Sequence, residues 1–141
     1  VISGADADAQ RALYTYGDAL GIAFQIADDL LDWQGDAGAT GKNVGDDFRE
    51  RKLTLPIIKA VAAADAEERA FWARTIEKGD QRDGDLEHAR ALMERHGALA
   101  ATRAEALDWA AQARAALAEL PAHELRDPLG ALAEQAVSRV A

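Results

Sequence analysis

Phe24-Gln25-Ile26-Ala27-Asp28-Asp29-Leu30-Leu31-Asp32 places three carboxylates inside an apolar stretch. On a helix, Asp28 and Asp32 stack one turn apart on one face, with Asp29 beside them. Carboxylates this close repel each other, and burial raises their pKa values. An isolated acidic cluster commonly marks a solvated helix end. Here Phe24, Ile26, Leu30, Leu31 and Trp33 leave the helix apolar nearly all round, which argues against a simple solvent face. A divalent cation resolves the conflict. Mg²⁺ prefers oxygen ligands, keeps several waters and takes one or two carboxylates plus substrate phosphates. Asp28, Asp29 and Asp32 are therefore the candidate Mg²⁺ ligands.

Outward from this stretch, the pattern is helical. Leu13, Tyr16, Leu20, Phe24, Ala27 and Leu31 recur three or four apart and predict a helix from Ala7 to Trp33 with those residues on its apolar face. Gly17 and Gly21 lie four apart on it. Each costs roughly 1 kcal/mol relative to alanine, so close packing against another helix is the expected compensation. Residues 34–45 carry four glycines and read as a long loop, the kind that often carries function. A second helix is expected near Thr54, with Thr54 as N-cap and Pro56 in the first turn. Asp65 is expected to cap a helix reaching about Lys78. Further helices are expected from Asp83 or Gly84 to His96, from Ala98 to Leu120, and from Glu124 to Val140. No strand alternation, repeat or linker is visible, so the fold class is all-α, a helix bundle.

The composition agrees. The 141 residues are 49% hydrophobic and 29% charged, with few β-branched residues and three prolines. A net charge of −9 argues against nucleic acid and anionic membranes as partners. The absence of cysteine excludes disulfides and thiolate metal sites. With no apolar run near the roughly 20 residues of a membrane span and no visible signal peptide, a cytoplasmic protein is the expectation. Anionic substrates of so acidic a chain need metal cations or local basic residues. Gly41-Lys42-Asn43-Val44-Gly45-Asp46-Asp47-Phe48-Arg49-Glu50-Arg51-Lys52 supplies the latter, since a lysine on a glycine-rich loop is a mobile point charge for diphosphate.

FQIADDLLD followed by GKNVGDDFRERKLTLP resembles the second aspartate-rich region of the trans-polyprenyl diphosphate synthases. The resemblance is nearest to bacterial long-chain synthases that make octaprenyl or decaprenyl tails for quinones, and it extends through Glu68–Trp72 and Gly84–Ala89. It implies the C-terminal part of the isoprenoid synthase fold over residues 1–141. It also implies a homodimer in the intact enzyme, and prenyl transfer between an allylic diphosphate and isopentenyl diphosphate. By the same resemblance Asp28 binds Mg²⁺ directly, while Asp29 and Asp32 act through water or support the site. Lys42 and Lys52 match lysines that meet diphosphate oxygens or lie close to them, and Gln25 matches a glutamine that faces the allylic substrate. The family usually has glycine before the second lysine; this chain has Arg51.

The resemblance also implies a first aspartate-rich motif well upstream, and nothing before Asp28 supplies it. Asp6 and Asp8 are only a loose pair. Asp46-Asp47-Phe48-Arg49-Glu50 repeats the carboxylate spacing but reads as a helix start or a support to the site. The chain alone is therefore expected to be inactive. The alternative is a non-catalytic helical subunit or fragment that keeps a metal-diphosphate site. His88 and His96, eight apart, are expected at the surface. Trp72 and Trp109 are expected in the core, and Arg69, Arg74, Arg90, Arg95, Arg103 and Arg114 on solvated helix faces.

Overall fold

The computed structural model describes residues 7–34, 44–121 and 124–141, and every regular element among them is helical. The helices are α1 (Ala7–Gln34), α2 (Asp46–Arg49), α3 (Leu55–Ala62), α4 (Ala66–Trp72), α5 (Asp85–Arg95), α6 (Ala98–Leu117) and α7 (Arg126–Val137). Contacts divide the chain into two compact units, residues Asp28–Thr102 and residues Val1–Ala27 with Arg103–Ala141. Both α1 and α6 run through the two.

The unit Asp28–Thr102 holds the larger aromatic core. Trp33, Phe48, Ile57, Phe71, Trp72, Leu92 and Met93 are buried together. Trp33, one residue past Asp32, packs edge-on against Phe48 of α2 at 6.1 Å between ring centroids. The end of α1 is thus fixed to the segment that follows the glycine-rich loop. Thr54 takes the extended N-cap conformation and Pro56 lies in the first turn of α3, as expected, but the Thr54 hydroxyl makes no capping bond. Asp65 does cap α4, accepting from Glu68 N at 2.8 Å. The helix expected to run on to Lys78 changes character at Trp72. Residues Ala73–Glu77 form a π-turn, closed by Lys78 N donating to Ala73 O at 2.9 Å.

Several arginines expected on solvated faces have fixed partners. Arg74 grips Asp85 with two bonds of 2.9 and 3.0 Å, drawing the Asp85 carboxyl below the usual carboxylate range. Arg90 donates to the Trp33 carbonyl at 2.5 Å. His96 is half-buried rather than at the surface, with Nε2 2.6 Å from Oε2 of the buried Glu68, which also accepts from Arg95 at 3.2 Å. His88 is exposed and stands edge-on to Phe71.

The other unit is built on small residues. Tyr16, Ala19, Ala113, Ala116, Leu117 and Ala133 form its core, with Trp109 half-buried against it. Tyr16 donates to the Leu129 carbonyl at 2.7 Å, and burial raises its phenol above the ordinary tyrosine value. The buried side of α1 runs through Ala12, Tyr16, Ala19, Ala23, Ile26, Leu30 and Trp33, rotated from the face expected from the leucines; Phe24 is 53% exposed. The expected close packing at Gly17 and Gly21 is not found among the described residues. A Cβ at either would meet nothing within 4 Å. Both line an open groove of about 580 Å³ with Leu20, Phe24, Leu132 and Ala136.

Candidate functional site

The aspartates sit where an apolar helix turns polar. Leu30 and Trp33 are fully buried, while Asp28, Asp29 and Asp32 on the same turns are half-buried. The backbone of the following segment folds back onto the last of them. Gly45 N donates to the Asp32 carbonyl at 3.0 Å, and Asp47 N donates to Asp32 Oδ2 at 3.2 Å. Gly45 makes this possible. Its φ of 84° is left-handed, and a Cβ would run into the Leu86 methyl groups. α2 begins at the next residue, so Asp46-Asp47 is a helix start, and no residue pattern signals that Asp47 also reaches Asp32 through its amide.

Burial and then the neighbouring Asp47 charge push the Asp32 carboxyl above its ordinary value, against the pull of the Asp47 amide. Asp47 also links to the basic side of the patch. Lys52 Nζ stands 3.7 Å from Asp47 Oδ1 and 2.9 Å from Glu50 Oε2. Hydrogen bonding to Glu50 and its charge raise the Lys52 pKa, so the ammonium is charged at neutral pH.

The structure thus brings Asp32, Asp47 and Lys52 together. Asp28 and Asp29 lie one turn and three residues before Asp32 on α1, and Gln25 is an exposed residue one turn before Asp28. Lys42 lies outside the described residues. Among the described residues, no three carboxylates or imidazoles converge on one point to form a ready metal cage. No helix among them is long and apolar enough to cross a membrane.

Arg51 is the feature the sequence reading left unexplained. It has φ 62°, and among the described residues it is the one non-glycine with positive φ. Glycine enters this region without steric cost, whereas Arg51 carries a full side chain into it.

Comparison with known proteins bears on the fold and the family. Residues 1–93 match the family model described as polyprenyl synthetase. The chain is 40% identical over 139 residues to octaprenyl diphosphate synthase of Escherichia coli strain K12, spanning 99% of the chain and 43% of that protein. The crystal structure of a decaprenyl diphosphate synthase from Rhodobacter capsulatus superposes with a TM-score of 0.92 at 64% identity, over 99% of this chain and 43% of that one. A Caulobacter crescentus polyprenyl synthase, solved with calcium and isoprenyl diphosphate, superposes at a TM-score of 0.86 and 47% identity, over 99% of this chain and 42% of that one. The fold is thus the all-α isoprenoid synthase fold, and the chain spans about two fifths of the length of these relatives. With the family model covering most of its residues and its helices superposing throughout on solved synthases, this chain belongs to the polyprenyl synthetase family.

Proposed function

We propose that the chain forms one wall of a prenyl synthase active site, the wall that holds a diphosphate through Mg²⁺ and lysine. The observation that carries this reading is the Asp32–Asp47–Lys52 constellation, a partly buried carboxylate under electrostatic tension with a charged lysine at its edge. The donor set of Asp28, Asp29 and Asp32 fits a hard cation bound through one or two carboxylates with phosphate oxygens completing the shell. Asp28 is the proposed direct ligand, with Asp29 and Asp32 acting through water or in support. Bound Mg²⁺ would supply charge stabilisation to a departing diphosphate. Lys52 and Lys42 would add point charges to the same oxygens, and Gln25 would face the allylic chain.

In the whole protein we propose that the second aspartate-bearing wall lies in the part its relatives have and this chain does not span. There the π electrons of isopentenyl diphosphate attack the carbon that loses diphosphate. Loss of a proton then leaves a chain longer by one isoprene unit. Long-chain products belong to the same proposal, supported by the octaprenyl and decaprenyl synthases among the relatives, and cytoplasmic location and a homodimeric assembly are proposed with them.

The test is the affinity of inorganic diphosphate in the presence of Mg²⁺, measured beside thermal melting for Lys42→Ala and Lys52→Ala. Each variant is expected to weaken affinity while moving the melting temperature little, because Lys52 is exposed and a lysine contributes little to a core. Unchanged affinity with lowered melting temperature would make these lysines structural and remove the basic half of the site.

A further inference from the structure

We propose that Arg51 is a positioning residue for the diphosphate site: its guanidinium clamps the turn that carries Lys52 onto the end of the π-turn, and so fixes where the Lys52 ammonium is presented. The inference rests on the diphosphate reading above and adds a residue that touches no ligand.

Arg51 holds a left-handed conformation, φ 62°, which strains a side-chain-bearing residue where glycine would be unstrained. Interactions made by its side chain offset that strain. Nε donates to the Ile76 carbonyl at 2.8 Å and Nη2 to the Glu77 carbonyl at 2.5 Å. Both acceptors lie in the last residues of the π-turn, where carbonyls lack helical partners. The planar fork of arginine suits two adjacent acceptors, which a lysine could not serve in the same way.

Gly79 makes room for the fork. Its φ is 73°, and a Cβ there would meet Arg51 Nη1 at 3.0 Å, Cζ at 3.1 Å and Nε at 3.2 Å. The guanidinium therefore lies against the bare Cα of residue 79. Gln81 holds the same join, with Nε2 donating to Phe48 O at 2.8 Å and Thr75 O at 3.1 Å.

The clamped turn is the one that presents the site. Arg51 N donates to Phe48 O at 3.0 Å and Lys52 N to Asp47 O at 2.9 Å. Lys52 is an exposed side chain on a flexible stem, so the location of its Cα sets the space its ammonium can sample. The same turn carries Asp47, whose amide holds Asp32. Arg51 has two of its nitrogens committed to carbonyls and the third against Gly79, so it acts through Lys52 and not on a phosphate.

Arg51→Gly and Arg51→Asn both keep the left-handed backbone accessible while removing the fork. The affinity of the whole protein for inorganic diphosphate with Mg²⁺ is measured for each, for Lys52→Ala, and for the two double variants, with thermal melts alongside. In the Lys52 background each Arg51 variant is expected to weaken affinity about tenfold, within the range of couplings between adjacent residues. In the Lys52→Ala background the same change is expected to be about twofold or less. An equal loss in both backgrounds would mean that Arg51 acts independently of Lys52, and would overturn the inference. Unchanged affinity in the Arg51 variants, with a clear loss in Lys52→Ala, would overturn it while leaving the diphosphate reading intact. No loss in Lys52→Ala would overturn the lysine's role and the clamp's function with it.

Discussion

In the proposed site, folding and ligand binding would make opposite demands on Asp32. Burial and the charge of Asp47 hold its carboxyl above the usual carboxylate range. The folded chain therefore binds this proton more tightly than the unfolded chain does. The ionised group subtracts stability at neutral pH, and that penalty is relieved as pH falls through the folded-state value. Asp32→Asn removes the charge and keeps an oxygen for the Asp47 amide. It is expected to raise stability at pH 7 by up to about 1 kcal/mol, the scale of a neighbouring charge pair. The gain should shrink as pH falls toward about 4, the ordinary carboxylate range, while Mg²⁺-dependent diphosphate affinity drops at neutral pH. Thermal melts across pH, beside calorimetric titration, check both. A variant less stable than wild type at pH 7 would mean that Asp32 is held for folding and not for a cation. The aspartates themselves could be read from spacing within an apolar helix. Asp47's grip on Asp32 could not, because it depends on the direction of a backbone N–H after a left-handed glycine.

At the scale of elements, periodicity and punctuation located the helices well. Asp65 capped where a short acidic side chain before a helix should, and Gly97, with φ 65°, closed α5. The π-turn escaped because its extra residue leaves no mark on the apolar pattern. The helix Ala7–Gln34 was legible in extent, but its buried face was not, since alanines rather than the larger leucines fill the core. The arginines at 74 and 90 looked like surface charge because their partners, Asp85 and the Trp33 carbonyl, are distant in sequence. Gly17 and Gly21 give a sharp test of this element. With open space where a Cβ would stand, Gly17→Ala in this 141-residue chain should stabilise by roughly 0.5–1 kcal/mol through helix propensity and a less flexible unfolded state. Urea unfolding measures it. Destabilisation would show that a surface packs closely on that glycine after all.

At the scale of the whole molecule, the acidic balance and the proposed substrates fit together only through local chemistry. A chain of net charge −9 would hold anions only where cations gather locally, and the proposed site sets Lys52 beside Asp47 for that purpose. Fold class was readable from composition and periodicity, whereas the functional reading needed the joint text of the aspartate and lysine segments. The rest is spatial: how the turn is clamped, which carboxylate is strained, and what faces the open groove. Under the proposed function, prenyl transfer by the whole protein depends on Asp28 as a direct metal ligand. Incorporation of radiolabelled isopentenyl diphosphate into extended product, at saturating Mg²⁺ and with an allylic diphosphate primer, tests this most directly. Wild-type protein should make extended prenyl diphosphate, and Asp28→Ala should lose several orders of magnitude in turnover while keeping its fold, since a lost metal ligand removes several kcal/mol of leaving-group stabilisation. No product from wild type, or a variant rate within about threefold of it, would contradict the account.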